Sequence, residues 1–457
     1  MTETTTLTAR TAADAQAIAD RVVELVRSKA PDAETEVTVR GGTDALTRFA
    51  NSFIHQNVAE ALSHVSVRVA VDGRTAATSL DGPTDDETLG RVIDGVLEAA
   101  RVRPEDPDWP GLASPAEAPA VDHWDEATAA ASPDERARRV RDFVDAAGGL
   151  ETAGACSTAA EVVAFSNSAG QRLSGRATLA DLDGIARTPS SDGSARMTSV
   201  RMDPIEGRVL GERAGAKARG AADPTDLEPG RYEVILEPSC VANLLQFLLL
   251  YGFNGRAVEE GRSFVRLGER QLDESIDLRD DVTDPDQVGV PFDVEGTLRR
   301  RVEVVRRGVS TAILHTRRTA ARAGAESTGH ALEGAEQWGA LPTNSVLATG
   351  DRAPEELLRS VERGLLVTDL WYTRVLDPRT LVVTGLTRNG VWLVEGGRIV
   401  RPVKNLRFTQ SYLEAVGPGA VRGIGSDASL IPGGFEGSYL VPSLHLASWN
   451  FTGGARG

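Results

Sequence analysis

Six histidines, two cysteines and one small acidic cluster are the groups with which this 457-residue sequence could do metal or nucleophile chemistry. The histidines (His55, His64, His123, His315, His330, His445) are scattered, and no two stand four or five residues apart. Such a spacing would set two imidazoles on one helical face toward a metal. Cys156 and Cys240 are far apart and no Cys-x-x-Cys occurs, so the thiol pattern of a zinc ribbon or redox pair is missing. There is no Gly-x-Ser-x-Gly elbow, no phosphate loop and no dinucleotide fingerprint after a strand. Gly417, Gly419, Gly423 and Gly425 lack a strand-to-helix context and read as a loop. His330 with Glu326 and Glu333 is the best cluster for a cation. His330 and Glu333 would share a face if that turn were helical, and an ordinary polar loop is the plainer reading. Cys240 lies near a helix start, where a thiol can be activated. With no histidine near it in sequence it reads as a buried structural cysteine. His445, in SLHLASW, alternates with apolar neighbours and reads as a strand residue.

The element that must position any such chemistry is 231–256, RYEVILEPSCVANLLQFLLLYGFNGR. Tyr232, Val234 and Leu236 alternate with Glu233, Ile235 and Glu237, which predicts a strand. Pro238 breaks it and Ser239 is a candidate cap. From Val241 to Tyr251 only Asn243 and Gln246 interrupt an apolar run, so a helix over 239–251 must be buried in a core or an interface.

Upstream, 11–29 is an amphipathic helix, and strands follow at 35–40, 44–50, 63–71 and 74–80, with Asp72-Gly73 as a hairpin turn. A second helix covers 85–101. Residues 1–10 are Thr-rich and read as loose. The Pro-rich stretch 102–120 suits a linker or a long surface loop. A helix at 133–147, strands at 151–157, 160–166 and 171–183, and a helix at 205–220 come next. No internal repeat is visible. After the boundary at 223–230 the pattern is mostly strands, and Gly396-Gly397 joins two alternating runs between Val391 and Val403 as a hairpin. The fold class is α+β. It divides into an N-terminal α+β domain (1–101), a central α+β domain (121–222) and a mainly-β C-terminal domain (230–457) with the buried helix at 239–251.

Hydrophobic residues make up 41% and charged residues 25%, as in a soluble globular protein. The formal net charge of −16 argues against binding nucleic acid or anionic lipid. The basic run Arg299-Arg300-Arg301 with Arg306-Arg307 has acidic flanks and reads as a solvated strand face. Residues 1–30 lack a signal-peptide pattern, and the longest apolar run, Leu244 to Tyr251, is too short to span a bilayer. Two cysteines suit a reducing cytosol, although one disulfide could form. The expectation is a cytoplasmic protein.

Four stretches, in order, resemble the TldD/PmbA (TldD/TldE) metallopeptidases, once described as modulators of DNA gyrase. They are GRYEVILEPSCVANLL, residues 291–332 ending in AESTGHAL, residues 341–380 beginning LPTNSVLATG, and residues 389–416, NGVWLVEGGRIVRPVKNLRFTQSYLEAV. In the TldD type a helix carries His-Glu-x-x-x-His and a cysteine lies near the C-terminus. Two imidazoles and a thiolate hold zinc, and the glutamate activates its water. Matching Leu-Leu before the motif and Gly252 and Gly255 after it puts Gln246 and Tyr251 at the histidine positions and Phe247 at the glutamate. Where TldD-type chains have Cys-Gly, this chain reads Ile431-Pro432-Gly433-Gly434.

The resemblance therefore implies a TldE (PmbA)-like member with no catalytic residues and no metal of its own. It implies zinc in a TldD-type partner, a heterodimer with that partner, and unfolded or leader peptides as substrates to be degraded or trimmed. A family-typical turn at Thr328, Gly329 and His330, with Thr343 and Asn344, is read as the peptide-contacting part. Strand addition would read the peptide backbone rather than its side chains. Two alternatives stand beside this: a self-sufficient divergent metallopeptidase homodimer, and a non-catalytic peptide-binding module.

Overall fold

The structure is a computed structural model that describes residues 11–433 and 437–454. The reading of 1–10 and the position of Gly434 lie outside the described residues.

The first helix, α1 (Ala12–Lys29), starts at a reciprocal capping box between Thr11 and Asp14. An antiparallel meander follows, β1 (Glu34–Ala50), β2 (Phe53–Val71) and β3 (Arg74–Asp81), and then α2 (Asp86–Val102). After the short α3 (Glu126–Ala129) the same order recurs: α4 (Pro133–Ala146), β4 (Glu151–Asn167), β5 (Arg172–Arg187), β6 (Asp192–Ser199) and α5 (Gly207–Gly220). All six strands form one sheet in the order β3-β2-β1-β4-β5-β6. Its centre is the antiparallel β1–β4 pair, which runs from Glu36↔Asn167 to Phe49↔Gly154. Residues 1–101 and 121–222, separate units in the sequence reading, each supply half of this sheet. One core lies under α1 and α2, and a second under α4 and α5.

The C-terminal part begins with β7 (Gly230–Leu236), α6 (Pro238–Gly252), α7 (Gly255–Glu259), β8 (Leu278–Asp280), β9 (Val302–Arg306) and β10 (Val309–Ser310). It continues through α8 (Arg317–Ala323), α9 (Ala335–Trp338), β11 (Asn344–Leu347), α10 (Pro354–Arg359), β12 (Arg363–Asp377), β13 (Val382–Glu395), β14 (Arg398–Pro402) and β15 (Leu406–Ser411). The last elements are α11 (Tyr412–Ala415), β16 (Val421–Ile424), β17 (Ser429–Pro432), β18 (Ser438–Val441) and β19 (Leu444–Gly454). One sheet runs β10-β9-β8-β11-β18-β17. The other runs β12-β7-β19-β15-β13-β14 and closes on itself because β12 also pairs with β13. Closure removes the free edges of the strands in the ring. Inward side chains such as Val234, Leu365, Val383, Phe408 and Trp449 form one core with the buried face of α6. The fold class is α+β with a mainly-β C-terminal part built around that helix, as the sequence predicts.

Candidate functional site

Pro238 occupies the first turn of α6, where it has no N–H to lose. Cys240, Val241, Leu244, Leu245, Leu248 and Leu249 then face the core and are buried. Asn243, Gln246, Phe247, Leu250 and Tyr251 are half-buried and recur at the spacing of a single helical face. Phe247 stacks on Tyr251 with ring centroids 6.2 Å apart and meets Tyr412 edge-on at 6.1 Å. The Tyr412 hydroxyl donates to Asn243 Oδ1 (2.9 Å), and the Asn243 amide donates to Thr373 Oγ1 (3.1 Å). Burial pushes the Tyr412 phenol well up, so it stays a neutral donor. Ile431, on β17, belongs to the same core as α6. Both cysteines are free and buried, and burial raises both thiols, Cys156 to about 12. A buried structural role for Cys240 follows, and the two form no disulfide.

The turn at 328–330 does meet Thr343 and Asn344, and Asp280 is what gathers them. Asp280 accepts the N–H groups of Thr343 (3.1 Å) and Asn344 (3.0 Å) and the Ser345 hydroxyl (3.1 Å). His330 Nε2 lies 3.0 Å from Asp280 Oδ1, and His330 Nδ1 lies 2.8 Å from Thr328 Oγ1. Burial works to raise the Asp280 carboxyl, but His330 and the Asn344 N–H outweigh it and hold it below the usual range. Thr328, His330, Thr343 and Asn344 are all buried. Here the peptide-contact reading of Thr328, Gly329, His330, Thr343 and Asn344 gives way to a structural one, because no side chain of the set reaches the surface. Nor is the turn helical: Glu333 pairs with His64 (2.9 Å), not with His330. Nothing in the sequence marks Asp280 as the centre of this set.

His445 is the strand residue expected, with Nε2 2.8 Å from Glu233 and Nδ1 3.2 Å from Ser360 Oγ. The order serine–histidine–glutamate suggests acyl transfer. Ser360, however, sits at the carboxyl end of α10, where carbonyls oppose a developing oxyanion. Its hydroxyl already donates to Leu357 O at 2.7 Å.

A cleft of about 870 Å³ lies between the two halves of the molecule. β6 lines it from Ser194 to Ser199, and β17 and the first turn of α6 close the other side. Among the described residues β6 and β17 are each the last strand of their sheet, with one side of the backbone without a strand partner. β6 is absent from the sequence reading, because DGSARMTS has no apolar alternation strong enough to mark it.

A family model described as "PmbA/TldA metallopeptidase C-terminal domain" matches residues 229–453. TldE from Thermococcus kodakarensis superposes with a TM-score of 0.86 at 18% identity, covering 95% of this chain and 100% of that one. This chain belongs to the TldD/PmbA family. A Thermotoga maritima protein described as a modulator of a DNA gyrase gives 0.82, also at 18% identity, over 96% of this chain and 100% of the other. At such identities these likenesses speak for the fold. A metalloprotease of Methanothermobacter thermautotrophicus is 25% identical over 53% of this chain and 52% of its own length. A metalloprotease of Methanocaldococcus jannaschii is 28% identical over 40% of this chain and 42% of its own. The chain thus spans about half the length of the curated relatives it matches, or less. A family zinc would need nitrogen, sulfur or carboxylate donors on α6. Gln246 offers an amide, Phe247 a hydrocarbon ring and Tyr251 a phenol stacked on that ring, and that set does not fit zinc. Among the described residues no three His, Cys, Asp or Glu side chains are grouped to hold a metal ion, and no helix is long and apolar enough to cross a bilayer.

Proposed function

We propose that this TldD/PmbA metallopeptidase-like protein is a TldE-like subunit. In this reading it pairs with a TldD-type catalytic chain, completes the substrate chamber, and leaves the hydrolysis of unfolded or leader peptides to the partner's zinc. The observation that carries the reading is the outer stripe of α6. The positions that would carry two ligands and a base hold Gln246, Phe247 and Tyr251, and the two rings pack on each other and on Tyr412. Buried charges without a metal would be costly there, and this stripe avoids them. The cleft between β6 and β17 would contribute backbone groups to an extended peptide. Low cysteine content and an acidic surface suit a cytosolic setting.

The test is zinc content per chain after purification alone, followed by peptide cleavage with and without a TldD-type chain. Less than about a tenth of an equivalent, given the tight binding expected of a built zinc site, supports the reading. So does cleavage that needs the partner. Near one equivalent surviving mild chelation, with cleavage by the chain alone, makes it a self-sufficient enzyme. Peptide binding without cleavage even beside the partner makes it a binding module.

A further inference from the structure

On the outside of the closed barrel, β12 carries Trp371, Tyr372 and Leu376, which are 52%, 66% and 60% exposed. Trp371 pairs with Leu386 and Arg374 with Thr384, so β12 holds one residue more than β13 between them. This bulge puts both aromatic residues on the surface. Tyr372 has φ 53°, in the left-handed region that a bulky side chain rarely adopts. Strained backbone of this kind gathers where a surface has work beyond folding. The Arg388 guanidinium stacks 4.5 Å from the Trp371 ring, and that of Arg374 4.5 Å from the Tyr372 ring. Arg407, on β15, lies opposite Leu386. Among the described residues none of these three arginines meets a carboxylate, in a chain whose net charge is −16.

We propose that this outer face of β12, β13 and β15 is the docking surface for a different chain that presents an apolar patch rimmed with acidic groups. Exposed tryptophan, tyrosine and arginine are the types that dominate interface energetics, and the unpaired arginines call for carboxylates. Two copies of this chain meeting here about a two-fold axis would set arginine against arginine. Single-stranded nucleic acid would need the ring faces for its bases, of which one on each ring already carries an arginine, and a net charge of −16 opposes its phosphates. The inference rests on the subunit reading above, and the occupant is the TldD-type catalytic chain.

The experiment measures association of this chain with the TldD-type chain by analytical ultracentrifugation at low and moderate salt. Trp371→Ala is expected to weaken association by about tenfold or more. Arg388→Glu combined with Arg407→Glu is expected to weaken it as much, and to abolish the loss of affinity that added salt causes in the wild type. Thermal midpoints stay at the wild-type value, because these side chains lie outside the core. If both variants associate as tightly as the wild type, this surface is wrong while the subunit reading stands. If the wild type does not associate at all, the subunit reading falls and this inference with it. Self-association, or binding of a single-stranded oligonucleotide in preference to the partner, that is lost in Trp371→Ala would overturn the occupant.

Discussion

Asp280 holds together more of the C-terminal part than any residue of the α6 stripe. Its carboxylate takes two backbone N–H groups and a hydroxyl from the 343–345 segment and faces His330. Asp280→Ala would leave these donors and a buried imidazole without their acceptor. The expected loss is at least about 1–3 kcal/mol, the cost of leaving a buried donor unsatisfied, read as a lower urea midpoint. The pH dependence has a definite sign. The folded-state carboxyl sits below the ordinary aspartate value, so its contribution is complete above about pH 4 and fades as pH falls through the folded value. Asp280→Asn should therefore flatten the acid limb of the stability profile and leave its neutral slope unchanged. The sequence shows His330 because histidines are few, and the turn around it because Gly329 stands there. It does not show Asp280, since one aspartate among many acquires a role only when β8 is laid beside β11.

Helix α5 makes a sharper case at the scale of the element, because its spacing is legible and its consequence is not. Gly207, Gly211 and Gly215 recur every four residues and form one face. A Cβ on Gly211 would lie 2.2 Å from the Phe143 carbonyl oxygen, so α5 and α4 touch backbone to backbone. Gly211→Ala must push the helices apart and should cost about 1–3 kcal/mol as an overpacking change. Gly95, in the middle of α2, meets nothing within 4 Å. Gly95→Ala should instead stabilise by up to about 1 kcal/mol through helix propensity. Thermal melts of the two variants should move in opposite directions. Helix boundaries were readable because caps and amphipathic spacing are local. Strand boundaries misled at glycine. The pair Gly41-Gly42 suggests a break between 40 and 44, yet β1 runs through it. Gly42 takes φ 147° where its Cβ would strike the Ala160 carbonyl of β4, so the glycine serves a close strand contact rather than a turn. The Asn51-Ser52 turn into β2, with both residues at positive φ, was hidden for the opposite reason: serine rarely takes that conformation.

At the scale of the whole molecule, the sheet of the first half and the barrel of the second are joined through charged contacts that no local pattern announces. Two helix–meander–helix units build the sheet with no shared sequence, because only the period-two alternation has to recur. At one junction Arg68, on β2, lies 3.0 Å from Glu36 on β1 and 3.6 Å from Glu295 in the C-terminal part. One guanidinium thus serves two buried carboxylates. Burial, with the Glu295 charge adding to it and Arg68 opposing, lifts the Glu36 carboxyl to about 8. Asp293 is raised to about 6 by burial and by Glu295. An acid whose folded value lies above its unfolded one prefers to fold with its proton. Its destabilisation begins above the unfolded value, near pH 4.5, and is complete once pH passes the folded one. The wild type should therefore lose a few kcal/mol between pH 5 and pH 8.5 from Glu36 alone. Glu36→Gln keeps the shape of the protonated side chain and cannot titrate, so its urea midpoint should fall less than that of the wild type over that range, with the residual slope below the Asp293 value of about 6. The two proteins should be close in stability at pH 5, with the variant ahead at pH 8.5. Equal slopes for both would mean that Glu36 folds ionised, with Arg68 committed to it and Glu295 left to the Arg317 N–H at 2.8 Å.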